Sequence, residues 1–216
     1  MKRGMTAGLV ACAVVLAGCS APEPAVQSGT APELDPNAIA YDNLDFVTTR
    51  DRVYKDERKC EGLPAGFGPK IGMSTRPISG YTPGCSFSEP WGSLSITQGP
   101  PAYRQSKQQH FSDYWNGNVY MGSGYARRMI LLNRYYALMA VGKSEYGTCL
   151  LVVDTGNVEP MTFRASPPRD QAEKYQRQDE DFPVDDVVNT ICPKAQQAAE
   201  KLLPLIEPNG GSRLAP

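Results

Sequence analysis

Few residues of this 216-residue chain combine types and spacing that could do chemistry. The run Leu150-Leu151-Val152-Val153-Asp154-Thr155-Gly156 delivers Asp-Thr-Gly from an apolar strand, as aspartic proteases do to place one of two carboxylates that share a proton. Here Asn157 follows where those proteases carry Ala or Ser, and no second copy exists. A strand ending in an Asp-Gly type of turn accounts for the same letters. His110 is the single histidine, so any Ser-His or Cys-His pair would have to use it. Its neighbours Gln108, Gln109 and Phe111 place it on a helix, and no Gly-x-Ser-x-Gly motif accompanies it. A hydrolase would therefore rest on Asp154 or His110. One histidine excludes polyhistidine metal sites, and the acids Asp179, Glu180, Asp181, Asp185 and Asp186 lack the spacing of a calcium loop. Acids in front of a helix are favourable without any ion. With no phosphate loop, dinucleotide fingerprint or Cys-x-x-Cys pair, no catalytic residue, metal or cofactor is expected.

The cysteines carry more information. Lys2 and Arg3 precede thirteen uncharged residues, Met5 to Ala17, which is the layout of a secretory signal and too short for a membrane span of about 20 residues. The run ends in Leu16-Ala17-Gly18-Cys19, the pattern of a bacterial lipobox. Small residues admit a signal peptidase, and only a thiol can form the thioether to diacylglycerol. Residues 1–18 are thus expected to be removed and Cys19 lipidated, which anchors the chain to the extracytoplasmic face of the cell membrane. Cys12 is discarded, and four of the six cysteines remain: Cys60, Cys85, Cys149 and Cys192. An even set in an oxidising compartment points to two disulfides. Four cysteines allow three pairings; the segments they occupy favour Cys60 with Cys85 and Cys149 with Cys192.

Those bridges need elements to hold them. Residues 19–40 carry Pro22, Pro24, Pro32 and Pro36 with three acids and few large apolar side chains, the composition of a flexible tether. An α+β domain is expected over 41–207, with a flexible tail over 208–216. Lys2 and Arg3 belong to the signal, and Glu23, Glu33 and Asp35 to the tether. The 22 basic and 23 acidic residues therefore leave the domain neutral, without the basic excess that nucleic acid requires.

Alternation at period two in Cys85 to Ser88 and Ser93 to Thr97, interrupted by Glu89-Pro90-Trp91-Gly92, predicts a β-hairpin. Arg127 to Leu132, Tyr135 to Val141 and Thr148 to Asp154 read as strands with two apolar faces, so the sheet should be covered on both sides. Met161 to Arg164 adds a further strand. Short helices are expected within 41–59 and around 172–176, a helix over 102–115, and a long Gly- and Pro-rich loop with brief extended pieces over 61–84. From Val184 to Ile206 apolar residues recur every three or four positions, a helix that Pro193 must kink or split. Cys192 falls toward its apolar face and can reach a buried strand such as the one holding Cys149.

Eleven tyrosines and two tryptophans offer a groove-lining set, of which Trp91, Trp115, Tyr120 and Tyr125 with Arg127 are the candidates for contacting an envelope glycan, lipid or protein. The layout as a whole resembles the actinobacterial lipoproteins grouped as domain of unknown function 3558. The likeness consists of a lipobox, a Pro-rich tether, and one cysteine near a short helix. A second then opens the strand Gly84-Cys85-Ser86-Phe87, a third lies in an apolar strand, and a fourth opens the Ala-rich last helix. That resemblance implies an envelope lipoprotein and names no catalytic residue. The expectation is a non-catalytic binding or accessory module, with an envelope hydrolase as the alternative.

Overall fold

The computed structural model describes residues 35–36, 39, 44, 53–54, 60–78, 84–98, 111, 113–116, 123–142, 147–157, 159–178 and 182–213. Six strands form one antiparallel sheet: β1 (Cys85–Glu89), β2 (Gly92–Thr97), β3 (Ser123–Leu131), β4 (Tyr135–Gly142), β5 (Cys149–Val153) and β6 (Met161–Ser166). Their order across the sheet is β1-β2-β6-β5-β4-β3. The hairpin and the three apolar strands form as expected. The last strand, β6, then inserts between β2 and β5 and joins what would otherwise be two separate pieces.

One face is covered by helices. A first short helix, α1 (Phe67–Lys70), precedes the sheet, and α2 (Arg169–Gln178), α3 (Val184–Thr190) and α4 (Cys192–Ile206) follow it. The chain over 184–206 splits just before Pro193, with Ile191 as the junction and the proline in the first turn of α4, where its missing N–H is harmless. Onto this face point Leu94, Ile96, Met139, Leu151, Phe163 and their neighbours, packed against Ala195, Ala198, Ala199, Leu202 and Leu203. Two disulfides brace it. Cys60–Cys85 ties the segment before α1 to β1, and Cys149–Cys192 ties β5 to the start of α4, with Cα–Cα distances of 4.7 and 5.2 Å. The alanines matter: small side chains let α4 lie close enough for the second bridge to form.

The opposite face is divided. Over β4 and β5 it is apolar, and Tyr136 and Val152 pack with Ile39, Phe111 and Trp115 in a second cluster. The indole N–H of Trp115 donates to the Ile39 carbonyl at 3.2 Å, and Arg128 lies 5.4 Å from its ring centre. Cover on both faces of the central strands is therefore present, as β4's unbroken burial from Tyr135 to Val141 requires. Ile39 belongs to this layer, so the domain begins inside the stretch expected to be tether. Over β1, β2 and β6 the same face carries hydroxyls instead.

Two expectations are corrected. The loop read over 61–84 contains the short helix α1, while the single bridge of Ile78 to Ser86 on β1 is a brief extended piece of the kind expected there. The tail expected to be flexible from 208 is instead packed through 213. Arg134 donates to the Pro208 carbonyl at 2.7 Å, the Arg213 N–H donates to the Arg134 carbonyl at 2.9 Å, and Ser212 is fully buried. Gly210 and Gly211 do not end ordered structure; they let the backbone pass close to Glu207 and Arg134 where a Cβ would collide. Most of 41–59, 79–83 and 99–110 lies outside the described residues, including most of the expected helix over 102–115, of which 111 and 113–115 are helical.

Candidate binding surface

The Asp-Thr-Gly turn at the end of β5 is a buried structural junction. Asp154 is 3% exposed. Its N–H donates to the Tyr136 carbonyl, its Oδ1 accepts the Gly156 N–H at 2.8 Å, and its Oδ2 has no hydrogen-bond partner. Burial raises the carboxyl, hydrogen bonding from Gly156 and Ser212 opposes this in part, the nearby Glu207 charge adds to the rise, and the net value is about 7. Thr155, also fully buried, accepts from the Gln98 amide, whose oxygen takes the Tyr54 N–H. A protonatable carboxyl thus exists, but it sits beneath the packed C-terminal segment.

The described members of the aromatic set are not assembled into one cleft. Trp115 is a core residue with no exposed ring surface. Trp91 lies half-buried in the β1–β2 turn, beneath the ammonium of Lys194 at 5.8 Å. Tyr125 is half-buried and Arg127 exposed on β3, the strand at the far edge of the sheet from β1. Tyr120, His110 and Cys19 lie outside the described residues, as do Asp179, Glu180 and Asp181. Asp185 and Asp186 are exposed on α3, where the Asp186 carboxylate accepts a hydrogen bond from the Tyr175 hydroxyl and so ties α3 to α2. Burial and that carboxylate push the Tyr175 hydroxyl up to about 12. Among the described residues no group of three or more His, Cys, Asp or Glu side chains could hold a metal ion.

The structure instead opens a groove where sequence reading placed a plain loop. It has a volume of about 340 Å³ and runs beside Cys60, between the stretch Leu63 to Pro69 and the stretch Ser74 to Pro77. Leu63 and Phe67 form its floor, and Phe67 meets Phe87 of β1 edge-to-face at 5.5 Å. Gly68 packs tightly here: a Cβ would lie 3.1 Å from the Phe87 ring, which would have to shift by a few tenths of an ångström. The far wall is clamped by Glu89 at the end of β1. Its carboxylate accepts the N–H groups of Ser74 and Thr75, both at 2.9 Å, and their hydroxyls at 2.5 and 2.7 Å. Burial works to raise the Glu89 pKa, but these four bonds outweigh it and hold the carboxyl below its ordinary value. The groove is therefore fixed at one side by a disulfide and at the other by a charge-assisted clamp, with prolines 64, 69 and 77 on its rim and Arg76 at its mouth.

The signal that could have found it was the Cys60 to Cys85 spacing. A bridge across 25 residues rich in Gly and Pro makes a rigid shaped loop of what composition alone marks as irregular. No helix of the described residues is long and apolar enough to cross a membrane. Compared with known protein families, curated proteins and solved structures, the chain finds no match.

Proposed function

We propose that the protein is a lipid-anchored binding module of the bacterial cell envelope, held at the extracytoplasmic face through diacylglycerol on Cys19 and acting without catalysis. The observation that carries the binding reading is the groove beside Cys60. Its volume lies at the lower end of the range, about 300–1,000 Å³, typical of small-ligand sites, and its walls are held rigid from both sides. Rigid walls matter because a preformed site does not spend binding free energy on ordering itself. Apolar residues line the floor, and among the described lining residues Arg76 is the one ionisable group, so the ligand would present an apolar body and a hydrogen-bond-accepting or anionic end. Asp154, on which a hydrolase would rest, lines no part of that groove. The disulfides and the resemblance to actinobacterial lipoproteins support the envelope location.

Three measurements test this. Metabolic labelling with an alkyne fatty acid should mark the wild-type chain and not Cys19→Ser. A photo-crosslinking amino acid at Ala65 in the groove should capture a ligand in intact envelopes that the same probe at Glu173 on α2 does not. Equal capture at the two positions would overturn the groove as a site, and an unlabelled wild-type chain would overturn the anchor. Biological activity that survives the double substitution Asp154→Ala His110→Ala is expected on the binding reading.

A further inference from the structure

The groove beside Cys60 spends most of its hydrogen-bond donors on its own walls. Pro64, Pro69 and Pro77 carry no N–H. The Leu63 N–H donates to the Cys60 carbonyl at 3.0 Å, and the Phe67 N–H to the Pro64 carbonyl at 3.1 Å. Ser74 and Thr75 turn both their N–H groups and their hydroxyl protons to the Glu89 carboxylate. Seven of the twelve described lining residues therefore have no backbone N–H to give a ligand. Arg76 is the exception among the side chains. It is exposed, and it has no ion-pair partner among the described residues.

This lining selects the body of a ligand. A peptide or sugar lowered into it would lose hydrogen bonds to water that the walls do not replace, a cost that hydrocarbon avoids. The length of that hydrocarbon follows from the volume. A water takes about 30 Å³ of the liquid and a methylene nearly the same, so a groove of about 340 Å³ holds a chain of about ten to twelve carbons. A two-chain lipid would leave most of its carbon outside. The polar end follows from Arg76. One guanidinium presents two parallel N–H groups that match the two oxygens of a carboxylate, charge for charge. A phosphate dianion would call for a second cation, and no other described lining residue is charged.

We propose that the groove binds a single-chain fatty acid of medium length, its hydrocarbon lying over Leu63 and Phe67 and its carboxylate held by Arg76. Resting on the reading of the groove as a ligand site, this adds the class of the ligand.

The test titrates the full chain with Cys19→Ser, which carries no lipid of its own, with saturated fatty acids below their micelle concentrations, read by isothermal titration calorimetry. Decanoate should bind one to one. From hexanoate to decanoate the affinity should rise about threefold per methylene, then level off beyond about twelve carbons, when the groove is full. Decan-1-ol and decyl phosphate should bind less tightly than decanoate, the alcohol by about fivefold, because it cannot make the charge-assisted pair. Arg76→Ala, at an exposed position, should weaken decanoate by the same factor and leave decan-1-ol unchanged. Ala65→Trp fills the groove and should abolish both; should it fold poorly, Arg76→Ala and the chain-length series decide. Decanoate binding that responds to neither chain length nor Arg76→Ala, or tighter binding of decyl phosphate, would overturn the proposal. No decanoate binding while the photo-crosslinker at Ala65 still captures an envelope compound would overturn the fatty acid and keep the groove as a site; if neither occurs, both fall.

Discussion

The Ser212 hydroxyl accepts the backbone N–H of Tyr136 at 3.0 Å, which closes the end of the chain over the start of the central strand β4. Asp154 takes the other side of the same residue, donating its N–H to the Tyr136 carbonyl at 2.9 Å. The segment from Glu207 to Arg213 is thus a clasp, fastened at Tyr135, Arg134 and Tyr136. Ser212→Ala should cost about 1–3 kcal/mol, because it leaves a buried N–H without its acceptor. Urea denaturation of the purified chain measures this. A loss below about 0.5 kcal/mol would mean that water enters and satisfies Tyr136.

Asp154 makes stability fall as pH rises. Its ordinary value is 3.8 and the folded value about 7, so the folded state holds the proton more tightly than the unfolded state. Below pH 3.8 both states are protonated and no penalty exists. Between the two values the unfolded chain ionises freely while the folded carboxyl does not, so stability declines with pH and levels off once the folded group has ionised. The full effect is about 4 kcal/mol, of which about 3 falls between pH 5 and 8. Asp154→Asn keeps the oxygen that accepts from Gly156 and removes the titration. Its denaturation midpoint should therefore decline less than that of the wild type over this range. Parallel pH profiles for the two proteins would show that the carboxyl is not buried in its neutral form.

The bridges should contribute unequally. Each is expected to stabilise by about 3–4 kcal/mol through the unfolded chain it restrains. Cys149–Cys192 closes a separation of 43 residues and Cys60–Cys85 one of 25, a difference worth about 0.5 kcal/mol on the chain-entropy relation. Replacing Cys149 and Cys192 with alanine should therefore lower the urea midpoint slightly more than replacing Cys60 and Cys85. The second variant should also lose site-dependent capture at Ala65, because that bridge holds one wall of the groove.

What the sequence made legible follows from how local each signal is. The β1–β2 hairpin was readable because the alternation Cys85, Phe87 against Ser86, Ser88 is a property of neighbours. The split at Pro193 was readable because one missing N–H decides it. The pairing of Cys149 with Cys192 was favoured by two local readings together, the helical phase that turns Cys192 to the apolar face and the apolar strand that holds Cys149. The insertion of β6 between β2 and β5 was not readable, since the pairing of Phe163 with Ile96 and Leu151 is long-range and nothing within Met161 to Ser166 specifies it. Trp115 misled for a related reason. An aromatic residue after a helical stretch reads the same whether it faces ligand or core, and its partner Ile39 lies 76 residues away. The docking of 208–213 was hidden by Pro208, Gly210 and Gly211, whose usual meaning as terminators yields here to close backbone packing.

The β3–β4 turn carries a clear local conflict among the described residues. Leu132, Asn133 and Arg134 connect the strands, the first two with φ of 53° and 56°, and the Arg134 N–H donates back to the Leu131 carbonyl at 2.9 Å. A turn whose two central residues both lie at positive φ calls for Asn or Gly at those positions. Asn133 suits its place; Leu132 does not, because a side chain in the left-handed region crowds its own carbonyl at a cost of about 1–2 kcal/mol. At 38% exposure its side chain recovers little of that by burial. Leu132→Asn should accordingly stabilise the protein by about 1 kcal/mol, read as an upward shift in melting temperature with the hairpin register unchanged. A destabilised Asn variant would show that the leucine side chain makes a contact that outweighs the backbone strain.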